Sequence, residues 1–284
     1  MLQYRTISDF FAGFFPGRVQ KIPVNAGLGC PGRCIYCNNA SFQPSYARGS
    51  ISSQLEAGLR FCSKKAALGG YLAYFQSYSN TYGPTEKLIS LYEEALSFPG
   101  IVGLVIATRP DCLQPDLLDW LELRFGGKAP EDHPFLLMEI GIESTKDETL
   151  ETIRRGHDFI CSQDAVRELD NRGILVGAHL ILGLPGEGPE DFALHARRLS
   201  ELPLSTLKLH QLQIIKGTPL ADMYLEDKTL VHPFTADEYA DTVRNFVKEL
   251  RPDIALDRFV SEAPRDMVIA PSWGLKPSEF AEML

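Results

Sequence analysis

Apolar positions along the chain follow two rhythms that alternate. Residues 71–76, 101–107, 135–142, 174–182 and 206–215 are short, nearly continuous apolar runs, the pattern of strands covered on both faces. Residues 21–25 form a weaker first strand that leads into a glycine-rich loop. Between these runs the apolar residues recur at helical spacing. Residues 52–68 carry Leu55, Leu59, Phe61 and Ala66 and stop at Gly69-Gly70, and residues 84–97 carry Leu88, Leu91, Tyr92 and Ala95 and stop at Pro99-Gly100. Helices are also predicted over 115–125, 146–154, 162–172, 189–201 and 235–250. Strands and helices in alternation predict an α/β fold of parallel βα units with right-handed crossovers, either an open sheet or a barrel. No glycine-rich dinucleotide fingerprint follows the first strand. Residues 1–20 read as a leader with a turn at Pro16-Gly17, residues 21–250 as the βα domain, and residues 251–284, with Pro252, Pro264, Pro271 and Pro277, as an extended tail packed on it.

Alternate residues of a strand share a face. Leu137, Glu139, Gly141 and Glu143 therefore line up, as do Gly177, His179, Ile181 and Gly183. In the next strand Lys208 and His210 share one face, with Gln211 and Gln213 on the other. Carboxylates on such a face are costly unless paired or turned toward a ligand. The plain alternatives are an exposed strand end for Glu143 and a hydrogen-bonded core histidine for His179. The glycines beside His179 clear room for close approach by a ligand or by backbone.

Composition narrows the chemistry. Of the 284 residues 44% are hydrophobic, enough for a sizeable core. The longest apolar stretches fall short of the ~20 residues of a membrane helix, and residues 1–15 do not read as a signal peptide. A net charge of −9 argues against non-specific nucleic-acid binding over the whole surface. Six cysteines in a chain of this length do not read as a secreted disulfide framework, and a reducing cytoplasm is expected. Cys62, Cys112 and Cys161 read as small buried hydrophobes.

The other three cysteines are Cys30, Cys34 and Cys37, within eight residues. Structural zinc takes four protein ligands, and common ferredoxin runs also supply four. Three thiolates on a cubane would leave one iron open.

Cys30-x-x-x-Cys34-x-x-Cys37, with Tyr36 before the last cysteine, resembles the cluster motif of the radical S-adenosylmethionine (SAM) enzymes. Glu139-x-Gly141-x-Glu143-Ser144, Arg154-Arg155-Gly156-His157-Asp158 and the stretch from His179 to Glu187 resemble the Elongator-like branch of that superfamily, which includes oxygen-independent coproporphyrinogen oxidase. Lys208-Leu209-His210, Lys216-Gly217-Thr218-Pro219-Leu220 and Pro271-Ser272-Trp273-Gly274 resemble one bacterial subgroup of the branch. The resemblance spans roughly residues 20–280. It implies a partial (β/α)6 TIM-like barrel with a C-terminal extension and with its chemistry at the C-terminal strand ends. It implies a [4Fe-4S] cluster on Cys30, Cys34 and Cys37, and SAM bound at the open iron and cleaved to a 5′-deoxyadenosyl radical. Tyr36 would pack near the adenine, Glu143 would meet the ribose hydroxyls, Arg155 the SAM carboxylate, and His179 would face SAM. Glu139 is a deeper cofactor-facing candidate on the same strand. The Gly-Gly-Glu sequence common after the second strand is absent, and Gln76 and Asn80 are the side chains there able to accept from the SAM ammonium. Many subgroup members also have a longer insert between the first two cysteines. The implied partners are an electron donor of flavodoxin or ferredoxin type and a substrate. A wobble uridine of tRNA is the first substrate reading, a small metabolite such as a tetrapyrrole the second, and a non-catalytic iron–sulfur or zinc protein the third.

Overall fold

A computed structural model describes residues 2–39, 43–62, 69–126, 133–261 and 263–284. Residues 40–42, just after the cysteine motif, and the end of the helix expected over 52–68 lie outside these residues. The strands β1 (Gln20–Val24), β2 (Tyr71–Phe75), β3 (Ile101–Thr108), β4 (Phe135–Glu143), β5 (Leu175–Leu182) and β6 (Thr206–Gln211) pair in parallel in chain order. Helices α2 (Ile51–Cys62), α3 (Thr85–Leu96), α4 (Pro115–Phe125), α6 (Phe159–Asn171) and α7 (Pro189–Ser200) provide crossovers, and α5 (Asp147–Thr152) is a short turn of helix after β4. This is the curled, open half-barrel expected, with one strand more. Residues Ala255–Arg258, in the segment expected as extended tail, form a seventh parallel strand, β8, beside β6. The run over 206–215 breaks after Gln211, and its end, β7 (Ile214–Ile215), pairs antiparallel with β9 (Val268–Ala270). Helices α8 (Pro219–Glu226), α9 (Ala236–Glu249) and α10 (Pro277–Glu282) complete the chain.

The sheet separates two apolar cores. Ile22, Phe75, Leu104, Met138 and Leu180 face outward, against the helices, in the larger one. The concave face is different: Leu72, Val105, Phe135, Leu137 and Leu175 form a second cluster within the curl. Residues 2–20 plug its N-terminal end. Helix α1 (Ile7–Ala12) starts at a capping box in which Thr6 and Asp9 satisfy each other's backbone donors. Phe10, Phe11, Phe14 and Phe15 all set their rings against Phe135, with centroids 5.2–6.4 Å apart. The leader also reaches the free edge of the sheet: Thr6 bridges Leu256, and Leu256 N donates to Arg5 O at 2.8 Å. The N-terminal end of the barrel is thus sealed by aromatic packing, which leaves the C-terminal end for chemistry. Among the described residues, no helix is long and apolar enough to cross a membrane.

Phe135 is 1% exposed at the centre of this plug. Truncating a buried phenylalanine costs ~3–5 kcal/mol. Phe135→Ala is therefore expected to lower the urea midpoint by that much stability; a cost below ~1 kcal/mol would show that the rings close the barrel without supporting it.

Candidate active site

The concave face changes character along β4. Below Glu139 it is apolar, and above it the wall opens on a cavity of about 460 Å³ at the C-terminal ends of the strands. At the floor lies an ionic layer drawn from strands across the sheet. Glu139, 2% exposed, accepts from Lys208 Nζ at 2.6 Å, Lys21 Nζ at 3.2 Å and His179 Nε2 at 3.0 Å. Asp257 on β8 pairs with Lys21 at 2.5 Å and Lys208 at 3.4 Å. Lys208 also donates to the Tyr74 hydroxyl at 2.7 Å and lies 4.4 Å from its ring centroid. Burial alone would raise the Glu139 pKa, but the two ammonium groups and His179 outweigh it and hold the carboxyl well below its ordinary value. Glu139 therefore anchors a network, and its oxygens are occupied by protein. The ring of His179 lies 5.3 Å from that of His210, whose pKa burial and neighbouring cations push well down, so His210 is neutral at pH 7.

The cysteine loop forms one wall. Ile35, 1% exposed, turns into the outer core between two cysteines, and its backbone is tied on both sides: Ile35 N donates to Ile153 O at 3.0 Å and Leu220 N to Ile35 O at 2.9 Å. Cys30, Cys34 and Cys37 line the cavity together with Tyr36. Each of the first two sulfurs has hydrogen-bond donors against it. Ser79 Oγ donates to Cys30 Sγ at 3.4 Å, and Cys34 Sγ accepts from Arg155 Nη1 at 3.6 Å and Arg109 Nη1 at 3.8 Å. Burial pushes the Cys37 thiol up to about 12, with the Cys34 and Cys30 sulfurs adding to it. A thiol that resists ionisation beside two further sulfurs suits a cationic group that takes it as a thiolate. Among the described residues no three His, Cys, Asp or Glu groups are gathered as they are around a single ion. Three cysteines on one cavity wall, with Arg155 and Arg109 donating to the Cys34 sulfur, supply the thiolates and the hydrogen bonds that a cluster takes.

Arg155 and Glu143 sit where the backbone is strained. Among the described residues the non-glycine ones with positive φ are Tyr78 (69°), Glu143 (68°) and Arg154 (55°), and all lie at or next to the cavity. Such conformations cost ~1–3 kcal/mol each and concentrate at functional sites. The Glu143 geometry comes from a bulge: Gly141 pairs with His179 but Glu143 with Leu180, leaving Ile142 without a partner residue on β5. Strict alternation would have aligned Glu143 with Glu139; the bulge aims it toward Arg155 Nη2, at 3.7 Å. Arg155, 5% exposed, also donates to Gly141 O at 2.5 Å, while its Nε is buried with no partner among the described residues. A side chain at Gly141 would press on this guanidinium. Gly177 in β5 and Gly183 just after it make room for protein side chains: a Cβ at Gly177 would overlap the Thr206 hydroxyl, and one at Gly183 the Phe234 ring.

Of the residues singled out in the sequence, Cys30, Cys34, Cys37, Tyr36, Gln76, Glu139, Glu143, Arg155 and His179 all face this cavity. Asn80 stands behind the wall. Its Nδ2 donates to Phe75 O and Ala107 O, both at 2.9 Å, clamping β2 to β3, and Ser77, Tyr78 and Ser79 line the cavity in its place. Cys112 is buried at the turn after β3. The residue that sequence reasoning passed over is Arg109, in the same turn. Its signal was a guanidinium directly after an apolar β3, where parallel-barrel chemistry resides.

Comparison with known proteins fits this geometry. The description "Radical SAM superfamily" matches residues 24–199, and "Radical_SAM C-terminal domain" matches residues 204–284. The chain is 32% identical over 287 residues to the protein YhcC of Escherichia coli, covering 96% of this chain and 89% of that one. It is 25% identical over 188 residues to a tRNA uridine(34) acetyltransferase of Methanocaldococcus jannaschii, covering 64% of this chain and 32% of that one. Among solved structures it superimposes on the Elp3 of Methanocaldococcus infernus with a TM-score of 0.68 at 16% identity, over 93% of this chain and 61% of that one. The chain belongs to the radical SAM superfamily of enzymes, whose members bind a [4Fe-4S] cluster and SAM and require a reductant.

Removing the Glu139 charge leaves Lys21 and Lys208 to share the single carboxylate of Asp257 in a buried floor. Glu139→Gln is expected to cost ~3–5 kcal/mol at pH 7 by urea denaturation. Because the folded pKa lies below the unfolded one, the native contribution is complete above the ordinary carboxylate range and fades as pH falls through the lowered folded value. The variant should therefore show a shallower acid limb of stability; a limb parallel to that of the native chain would mean that Glu139 is not ionised in the folded protein.

Proposed function

We propose that the chain reductively cleaves SAM and uses the resulting radical to take a hydrogen atom from an unactivated carbon of a uridine at the tRNA wobble position. The observation that carries the first half is the meeting of three cysteine sulfurs, Arg155 and the bulge-directed Glu143 on one cavity wall. When bound, the cluster supplies the electron that breaks a carbon–sulfur bond of SAM and releases a 5′-deoxyadenosyl radical. Cys30, Cys34 and Cys37 hold the cluster in this reading. Arg155, permanently charged and with an unfilled Nε, attracts the SAM carboxylate. Glu143 accepts from ribose hydroxyls, Tyr36 packs beside the adenine, and Gln76 takes up part of the ammonium's hydrogen bonding. The half-barrel walls and the ionic floor exclude bulk water from a reactive intermediate. His179 and His210 line the inner wall, where hydrogen bonds to a base or other polar ring are available.

The uridine assignment draws on the tRNA uridine(34) acetyltransferase relative, which matches over part of its own length. The reductant in this reading is a flavodoxin or ferredoxin, and the protein acts in the cytoplasm, where cluster and thiolates survive.

Anaerobic reconstitution followed by dithionite and SAM is expected to yield 5′-deoxyadenosine. Cys34→Ala should abolish both cluster content and product. A fully loaded, reducible cluster that yields none would overturn the enzyme reading. Nucleoside analysis of tRNA from a deletion strain should lack one wobble-uridine modification; an unchanged profile beside an altered metabolite pool would replace tRNA with a small-molecule substrate.

A further inference from the structure

We infer that Arg109 is a positioning residue that raises the reduction potential of the cluster, with Asp111 as its counterweight. This rests on the cluster reading above. Arg109 leaves the C-terminal end of β3 and is 4% exposed. Most of its guanidinium is spoken for by the protein. Nε and Nη2 make a fork to the Asp111 carboxylate at 2.8 and 2.7 Å, and Nη2 also donates to Arg155 O at 2.6 Å. The remaining nitrogen, Nη1, points at Cys34 Sγ. The cysteine loop is shaped to admit it: a Cβ on Gly32 would overlap the Arg109 guanidinium. The pair is thus a fixed dipole with its positive end on the sulfur and its negative end, Asp111, toward solvent, the Asp111 side chain being 28% exposed.

Reduction adds one electron to the cluster and makes or breaks no bond. A fixed positive charge and a hydrogen bond at a ligating sulfur stabilise the more negative, reduced form, and hydrogen bonds, net charge and exposure are the protein's levers on cluster potential. Arg155 touches the same sulfur but also faces the cavity wall where Glu143 stands. Among the described residues Asp111 is the one carboxylate in an ion pair with Arg109. The Arg109 charge therefore acts on the cluster directly, and a titration without SAM separates that from any effect passed on through the Arg155 carbonyl.

The test is an EPR-monitored redox titration of the full chain, reconstituted anaerobically without SAM. Arg109→Met should lower the reduced-to-oxidised ratio at a fixed potential at least tenfold, a shift of 59 mV toward negative values for a one-electron couple. Asp111→Asn should move the ratio in the opposite direction, since it removes the counterweight. Arg109→Lys keeps the charge and should stay closer to the native potential than Arg109→Met. A purely structural role would reduce cluster content without opposite shifts in potential. Should Arg109→Met fail to take up a cluster, Asp111→Asn and Arg109→Lys carry the test. Equal potentials in all loaded proteins, or shifts of one sign in Arg109→Met and Asp111→Asn, would overturn the inference. Failure of the native chain to take up a cluster would instead overturn the reading beneath it.

Discussion

The ion pairs around Glu139 are the constraint on which the rest of the molecule depends. A half-barrel has two free edges, here β1 and β8, which no backbone ladder joins. Lys21 belongs to one edge and Asp257 to the other, and their 2.5 Å contact crosses the seam. Glu139, from the middle of the sheet, holds Lys21 and Lys208 toward the same point. Two cations and two anions therefore set the curl of the sheet from within. A buried network of this kind is not evidence of extra stability, because a well-packed apolar layer often does as well. Its position explains it better. An apolar layer at this height would place a greasy floor under the cavity proposed to hold a zwitterionic cofactor, whereas charged groups already satisfied by one another give a polar floor with no unpaired charge.

The N-terminal segment completes that logic. With the floor polar, the barrel below it needs a separate apolar seal, and the four phenylalanines around Phe135 supply one. The same segment lies along β8 through the Thr6–Leu256 bridge, so the unpaired edge of the sheet is partly covered. Plug, ionic layer and cavity stack along one axis, and each depends on the one below.

Much of this was legible in the sequence, and the gaps have physical causes. The continuous apolar runs and helical spacings gave the six central strands and their crossover helices because parallel strands buried on both faces leave an unmistakable pattern. Helix α1, with six residues, and β8, with four, are too short for periodicity to register. Their stability comes from partners far off in the chain. Glu139 was noticed because a carboxylate on an apolar face needs an account, but the account lies in Lys21, 118 residues before it, and in Lys208, which Asp257 on the edge strand β8 helps to neutralise. The bulge at Ile142 was not legible, since it arises from the pairing of β4 with β5. Gly177 and Gly183 were read as clearance for a ligand or for backbone, and each faces a protein side chain, the Thr206 hydroxyl and the Phe234 ring.

The cysteine motif was the plainest signal in the chain, and by itself it says little about how the site manages charge. Three thiolates, Glu143 and an approaching carboxylate would crowd negative charge into a small, partly buried volume. Burial and mutual repulsion already hold the Cys37 thiol near 12. Two guanidiniums on Cys34 answer that excess from opposite sides, Arg155 from the turn after α5 and Arg109 from the end of β3. They are not equivalent. Arg155 has a buried nitrogen without a partner and so has capacity for a ligand, whereas Arg109 is locked by Asp111 and the Arg155 carbonyl and has none. One cation is thus positioned to respond to what binds, and the other is fixed whatever binds. A site that must first accept an electron and then pass it on has use for both, because the fixed charge sets the level at which the electron arrives, while the responsive one is engaged only when its ligand is in place.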